Sequence, residues 1–197
     1  MKLKELKSVL QQMETFHKSK YQLEQYTTPA DIAAKMLYMI HTASGLGNAV
    51  ADLGCGCGIL AIGASLLGAD ICIGVDVDDE ALSVCLANCE KLEVTNVDLI
   101  QMDVVHLADS RWSKVFDTVV MNPPFGTKKR KGNFTNLFSL KNLKLVYLYL
   151  LGDNGDGGLI PGIKLSKNTI IQEKIVVTIP NIIGIANDAK RSAKRNK

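Results

Sequence analysis

Nothing in this chain of 197 residues approaches the run of roughly 20 apolar residues that a membrane-crossing helix needs. The opening stretch, residues 1–7, is charged and amphipathic and lacks the apolar core of a secretory signal. The expectation is a soluble intracellular protein, of nucleus and cytoplasm, with no membrane partner. A disulfide framework is lacking too: the five cysteines, at 55, 57, 72, 85 and 89, are odd in number and lie mostly in apolar segments, which suits reduced core thiols. Cys55 and Cys57 do not form a C-x-x-C pair, and no second ligand pair stands at a familiar zinc spacing, so no metal is expected. Charge of one sign is scarcely in excess, at a net +3, and no internal repeat is visible.

What charge there is comes in clusters. Lys128, Lys129, Arg130 and Lys131 form one basic run, and Lys190, Arg191, Lys194, Arg195 and Lys197 form another. Runs of this kind are either solvated surface or contacts to phosphate. With 47% apolar and 22% charged residues, a chain of this length buries one respectable core.

The apolar pattern changes period along the chain. Leu3, Leu6, Val9, Leu10 and Met13 predict an amphipathic helix over residues 3–16. A second follows through Ile32, Met36, Leu37 and Ile40, with Thr28 as its N-cap, Pro29 at its first position, and Gly45 and Gly47 as its stop. From residue 49 onward, short apolar runs at 49–53, 71–75, 97–102 and 116–121 each end in glycine or a polar residue. Helical periodicity fills residues 59–67 and 80–92 between them. Strands alternating with helices predict an α/β fold: an open, mostly parallel sheet with helices on both faces. In such sheets ligands sit beyond the carboxyl ends of the strands. Further on, residues 137–151 predict a helix, residues 175–179 a strand ended by Pro180, and residues 187–197 a basic disordered tail.

Candidate functional residues follow each run. Asp52, Leu53, Gly54, Cys55, Gly56, Cys57 and Gly58 give a G-x-G-x-G turn, where bare backbone can approach a ligand closely. Ile59 stands where the dinucleotide fingerprint wants glycine, and no G-K-[ST] follows, which disfavours a nicotinamide dehydrogenase and a P-loop. Asp76, at the end of the second run, is placed to accept the hydroxyl protons of a ribose. Asp103 and Val104, at the end of the third, are placed to bond and cover an adenine ring.

The fourth run ends in Asn122, Pro123, Pro124, Phe125 and Gly126. Two prolines stiffen this loop, so that the Asn122 side chain and neighbouring carbonyls stand as preorganised acceptors with Phe125 beside them. An adenine amine calls for that arrangement, because its lone pair is delocalised into the ring. Two accepted N–H bonds favour pyramidalisation and aim the lone pair at an electrophilic methyl. Phe125 would stack on the extruded base, a contact worth ~1–3 kcal/mol.

At these residues the chain resembles the class I methyltransferases, Rossmann-like in fold. It is most similar to the methyltransferase-like eukaryotic enzymes that make N6-methyladenosine in 18S ribosomal RNA. The resemblance covers roughly residues 1–132, taken as the domain core, and includes Leu23-Glu24-Gln25-Tyr26 with Thr28, the turn at 52–58, Val75-Asp76-Val77-Asp78, Asp103-Val104 and Asn122-Pro123-Pro124-Phe125-Gly126-Thr127. It implies S-adenosyl-L-methionine as cofactor. Gln25 and Thr28 would close over its methionine part, with Asp52, Gly54, Cys57 and Ile59 around the binding turn. Asp76 would hold the ribose, Asp103 and Val104 the adenine, and Asn122, Pro123, Pro124 and Phe125 the substrate base. It further implies two partners, 18S ribosomal RNA and a small zinc-binding activator protein that extends the sheet of its methyltransferase and carries the zinc itself. Beyond Asn133 the resemblance stops. Residues 133–186 are expected to be a divergent part of the same domain with incomplete final strands. Two further readings stay open: methylation of a protein glutamine, whose amide offers the same two N–H donors, and a non-catalytic variant that only binds cofactor.

Overall fold

The computed structural model describes residues 1–16, 18–20, 23, 25–43, 45–104, 106, 115–122 and 146–148. Along the chain, α1 (Leu3–Leu10) and α2 (Ala30–Ala43) precede β1 (Ala49–Leu53), α3 (Ile59–Leu66), β2 (Ile71–Asp76), α4 (Asp79–Lys91), β3 (Val97–Gln101), β4 (Thr118–Met121) and β5 (Val146–Leu148). The strands form one parallel sheet in the order β3-β2-β1-β4-β5. A parallel pair needs a crossover, and the helical segments supply it between β1 and β2 and between β2 and β3. The strand order turns back at β1, so that β1 and β4 flank the topological switch point.

Side chains alternate across this sheet with a period of two. Val50, Cys72, Val120, Val97 and Leu99 join the cluster to which all four described helices contribute, through Leu6 and Leu10, Leu37 and Ile40, Leu60 and Ile62, and Cys85 and Cys89. Ala51, Leu53, Val75, Val119 and Met121 belong to a second cluster on the opposite face with Phe116, Ile73, Ile100 and Val104. All five cysteines are buried free thiols.

Three sequence-based boundaries change. The helix expected over residues 3–16 stops at Leu10, because the backbone of Glu14 bonds elsewhere. Its N–H donates to Asn88 Oδ1 at 2.7 Å, and its carbonyl accepts from Asn88 Nδ2 at 3.0 Å. α2 starts at Ala30, with the Pro29 carbonyl accepting from Ile32 and Ala33, while Thr28 Oγ1 accepts from Asn122 at 2.7 Å. The helix expected over 137–151 is contradicted where the structure describes it: Val146–Leu148 is strand β5, in register with Val119, Val120 and Met121 of β4. Valine and tyrosine favour strands, and the open backbone edge of β4 supplies the partners that a helix would have found locally. The strand expected at 175–179 and the tail at 187–197 lie outside the described residues.

Two buried polar side chains tie these elements together. Asn88 of α4 is fully buried, and besides holding Glu14 it donates to the Cys57 carbonyl at 3.0 Å. Asp52, 1% exposed, accepts the Ala61 N–H in the first turn of α3 at 2.9 Å. Burial pushes the Asp52 carboxyl up to about 7; the Ala61 bond opposes that rise and the nearby Asp76 charge adds to it.

Replacing Asn88 by alanine strands Glu14 N–H and the Glu14 and Cys57 carbonyls, and should lower unfolding stability by ~2–4 kcal/mol in a urea titration. A loss under about 0.5 kcal/mol would remove Asn88 from the core account. Asp52 gives a signed pH dependence. Its folded value lies above the ordinary 3.8, so the folded state binds the extra proton, and stability falls as pH rises from near 3.8 to about 7. Asp52→Asn keeps an acceptor for Ala61 and removes this titration. Its thermal midpoint should gain on that of the parent between pH 5 and pH 8, a window over which the parent loses ~3 kcal/mol at most in stability. A gap that stays constant across that range contradicts the assignment.

Candidate active site

Strand register brings the singled-out residues to one edge. Leu53 pairs with Met121 and Leu53 with Val75, while Asp76 pairs with Gln101. Gly54 and Asn122 therefore leave adjacent strands side by side at the switch point. The Met102 N–H donates to the Asp76 carbonyl at 2.9 Å, which carries the β2–β3 pairing on toward Asp103 and Val104. Asp103 is exposed there and Val104 packs on the second core cluster.

The glycine turn is held by backbone bonds. Gly54 and Cys55 both donate to the Val75 carbonyl, at 2.7 and 3.0 Å, and Gly58 donates to Cys55 at 2.8 Å. Gly54 has φ +73°, and a Cβ built on it would meet nothing within 4 Å, so the bend shows bare backbone to open space. Gly58 is glycine for another reason: at φ +87° its Cβ would lie 2.2 Å from Cys85 Sγ. Asp76 Oδ2 accepts the Gly56 N–H at 2.8 Å and Oδ1 accepts the Asp78 N–H at 3.0 Å. This fixes the carboxylate while each oxygen keeps a lone pair for a hydroxyl donor.

Asp52 Oδ1 is buried without a hydrogen-bond partner among the described residues. Cys57 and Ile59 are buried, and burial, with the Asp76 charge added, raises the Cys57 thiol to about 11, leaving it an inert lining group. Open glycine backbone, a fixed carboxylate and an unmet buried acceptor fit a ligand that combines ribose hydroxyls with a positively charged group.

The described parts of a strap before α2, residues 14–16, 18–20 and 25–28, make contacts that run from the glycine turn to Asn122. Phe16 Cζ lies 3.1 Å from the Cβ position of Gly56. Lys20 Nζ bonds Asp78 Oδ1 at 2.7 Å and Glu80 at 3.2 Å. Gln25 Nε2 donates to Asp78 Oδ2, and Gln25 Oε1 accepts the Lys20 N–H at 2.8 Å. Burial works against ionised Asp78, but the bonds from Lys20, Gln25 and Glu80 outweigh it and hold the carboxyl below its ordinary range. At the far end, Tyr26 Oη donates to Asn122 Oδ1 at 3.0 Å and Asn122 Nδ2 donates to Thr28 Oγ1. Pro123, Pro124 and Phe125, like the basic run at 128–131, lie outside the described residues.

Sequence reasoning assigned no role to Tyr26, Asp78, Lys20 or Asn88. Asp78 carried a signal, as a carboxylate two residues past Asp76 and just before a helix, the N-cap position it occupies. Asn88 was a lone amide among apolar helical positions. Tyr26 and Lys20 act over contacts of 96 and 58 residues in sequence separation, which no local pattern encodes.

The family model of ribosomal protein L11 methyltransferase (PrmA) matches residues 31–123. Among curated proteins, the chain is 52% identical over 134 residues to the rRNA N(6)-adenosine-methyltransferase METTL5 of Danio rerio, covering 67% of this chain and 64% of that protein. With the Drosophila melanogaster protein of the same description it shares 44% over 134 residues, 67% of this chain and 63% of that one. The chain thus spans a little under two thirds of the length of these curated relatives. A solved structure of a candidate RNA methyltransferase from Pyrococcus horikoshii superposes with a TM-score of 0.66 at 34% identity, over 76% of this chain and 74% of that one. The parallel sheet, the glycine bend at its switch point and this similarity over most of a solved relative lead to one conclusion: the chain belongs to the class I S-adenosylmethionine-dependent methyltransferase family.

Proposed function

We propose that the protein transfers a methyl group to the N6 amine of an adenine in ribosomal RNA, in the 18S molecule. The observation that carries this reading is the lateral pairing of Leu53 with Met121, which sets the glycine bend and Asn122 on neighbouring strand tips. The similarity to proteins described as rRNA N(6)-adenosine-methyltransferases supports it. Bound S-adenosylmethionine would supply an electrophilic methyl whose S–C bond breaks as the N–C bond forms, and would depart as S-adenosylhomocysteine.

The chain's own residues do the rest. Gly54, Cys57 and Ile59 line the cofactor turn, Asp76 accepts the ribose hydroxyl protons, and Asp103 with Val104 holds the adenine ring. Asp52, Gln25 and Thr28 serve its methionine end. Asn122 Oδ1 accepts one N–H of the substrate amine, which draws the nitrogen lone pair out of conjugation. Phe125 would stack on the base, with Pro123 and Pro124 limiting the freedom of the chain before it. No strong base is required, because the amine sheds its proton to solvent once the methyl has arrived. Edge placement suits transfer to RNA, since the base must be extruded to reach strand tips.

The same reading includes an activator partner, a small zinc-binding protein. β3 ends the row of described strands, so a strand added there would pair with an open backbone edge.

With labelled cofactor and 18S ribosomal RNA, alone and with the activator, Asn122→Ala should reduce turnover at least ~100-fold while S-adenosylhomocysteine affinity stays within about twofold. Turnover retained by that variant would remove Asn122 from the mechanism. Label appearing in protein glutamine rather than RNA would overturn the choice of substrate.

A further inference from the structure

We infer that Tyr26 is a positioning residue for the methyl acceptor: with Thr28, it sets the plane and orientation of the Asn122 amide before the substrate arrives. The inference deepens the adenine-N6 reading and rests on it.

An asparagine side chain is nearly symmetric in shape, yet only its oxygen can accept an amine N–H. An unsupported amide beside a mobile substrate rotates, and in the wrong orientation it sets N–H against N–H. Here both ends are held. The oxygen accepts from Tyr26 Oη at 3.0 Å, and the nitrogen donates to Thr28 Oγ1 at 2.7 Å. One lone pair of Oδ1 remains for the amine. Tyr26 withdraws a little electron density from that oxygen, a small loss beside the gain from fixing its direction, because misplacement by a fraction of an ångström is what slows positioned chemistry most.

The clamp is itself anchored. Adjacent Gln25 is bonded to Asp78 at the start of α4, Lys20 bonds Asp78 and Glu80, and Glu14 is held from both sides by Asn88. Tyr26 thus follows directly on a residue bonded at the start of α4, so the Asn122 amide is held by a side chain whose own neighbour is tied to a distant element.

The test is Tyr26→Phe in the full chain, which keeps the ring and deletes the hydroxyl. We expect kcat on RNA to fall about 10-fold, with KM for RNA, S-adenosylhomocysteine affinity and thermal midpoint nearly unchanged. Thr28→Ser, which retains the acceptor, should keep more of the activity than Thr28→Val. In protein labelled with 15N-asparagine, the Asn122 side-chain resonances, assigned by their disappearance in Asn122→Ala, should shift in Tyr26→Phe and in Thr28→Val. Full turnover in Tyr26→Phe overturns the proposal. An inactive parent protein would count against the adenine-N6 reading instead. In that case the amide resonances decide: a shift in both variants supports the clamp, and unchanged resonances overturn it.

Discussion

The pairing of β1 with β4 is the constraint on which the site depends. Leu53 and Met121 are partners in a parallel ladder, and both are buried against the same face. Their successors, Gly54 and Asn122, are forced to emerge together. A one-residue slip would turn every core side chain of β4 toward the wrong face, so the register is guarded by the packing of Val119, Val120 and Met121 rather than by anything at the site. Burial of apolar strands thereby sets a polar amide beside the glycine turn.

Buried polar groups do the remaining alignment, and each has a distinct role. Asn88 joins the strap to the glycine turn by satisfying backbone groups that no regular element claims. Asp78 gathers Lys20, Gln25 and the start of α4 on one carboxylate. Asp52 is less content: one oxygen serves Ala61 and the other has no partner among the described residues. An unmet acceptor of this kind costs folding stability, and it is the sort of local conflict that a ligand-binding turn retains.

Much of this was legible in the residues. The strands at 49–53, 71–76, 97–101 and 118–121 follow from short β-rich apolar runs, and α3 and α4 from the helical period between them. The glycine bend and the fixed acid Asp76 were read from spacing. Local pattern fails where a distant side chain decides. α1 ends early because Asn88, 74 residues further on, takes the Glu14 backbone. Thr28 reads as a helix cap but serves Asn122 across 94 residues. Val146–Leu148 shares its leucine spacing with a helix and becomes a strand because β4 offers an edge. Tyr26 was visible inside a familiar segment, yet its role needs the tip of β4, which sequence order places far away.

The central claim is that the glycine bend and Asn122 serve one reaction path. It is tested most directly by calorimetry with a bisubstrate ligand, in which the N6 of an adenosine is tethered to a cofactor-like nucleoside in place of the transferring methyl. Binding should be about 10-fold or more tighter than for S-adenosylhomocysteine, and Asn122→Ala should erase the advantage and leave S-adenosylhomocysteine binding intact. An equal affinity for both ligands in the parent protein would mean that the two features do not face a common space, and would contradict the account.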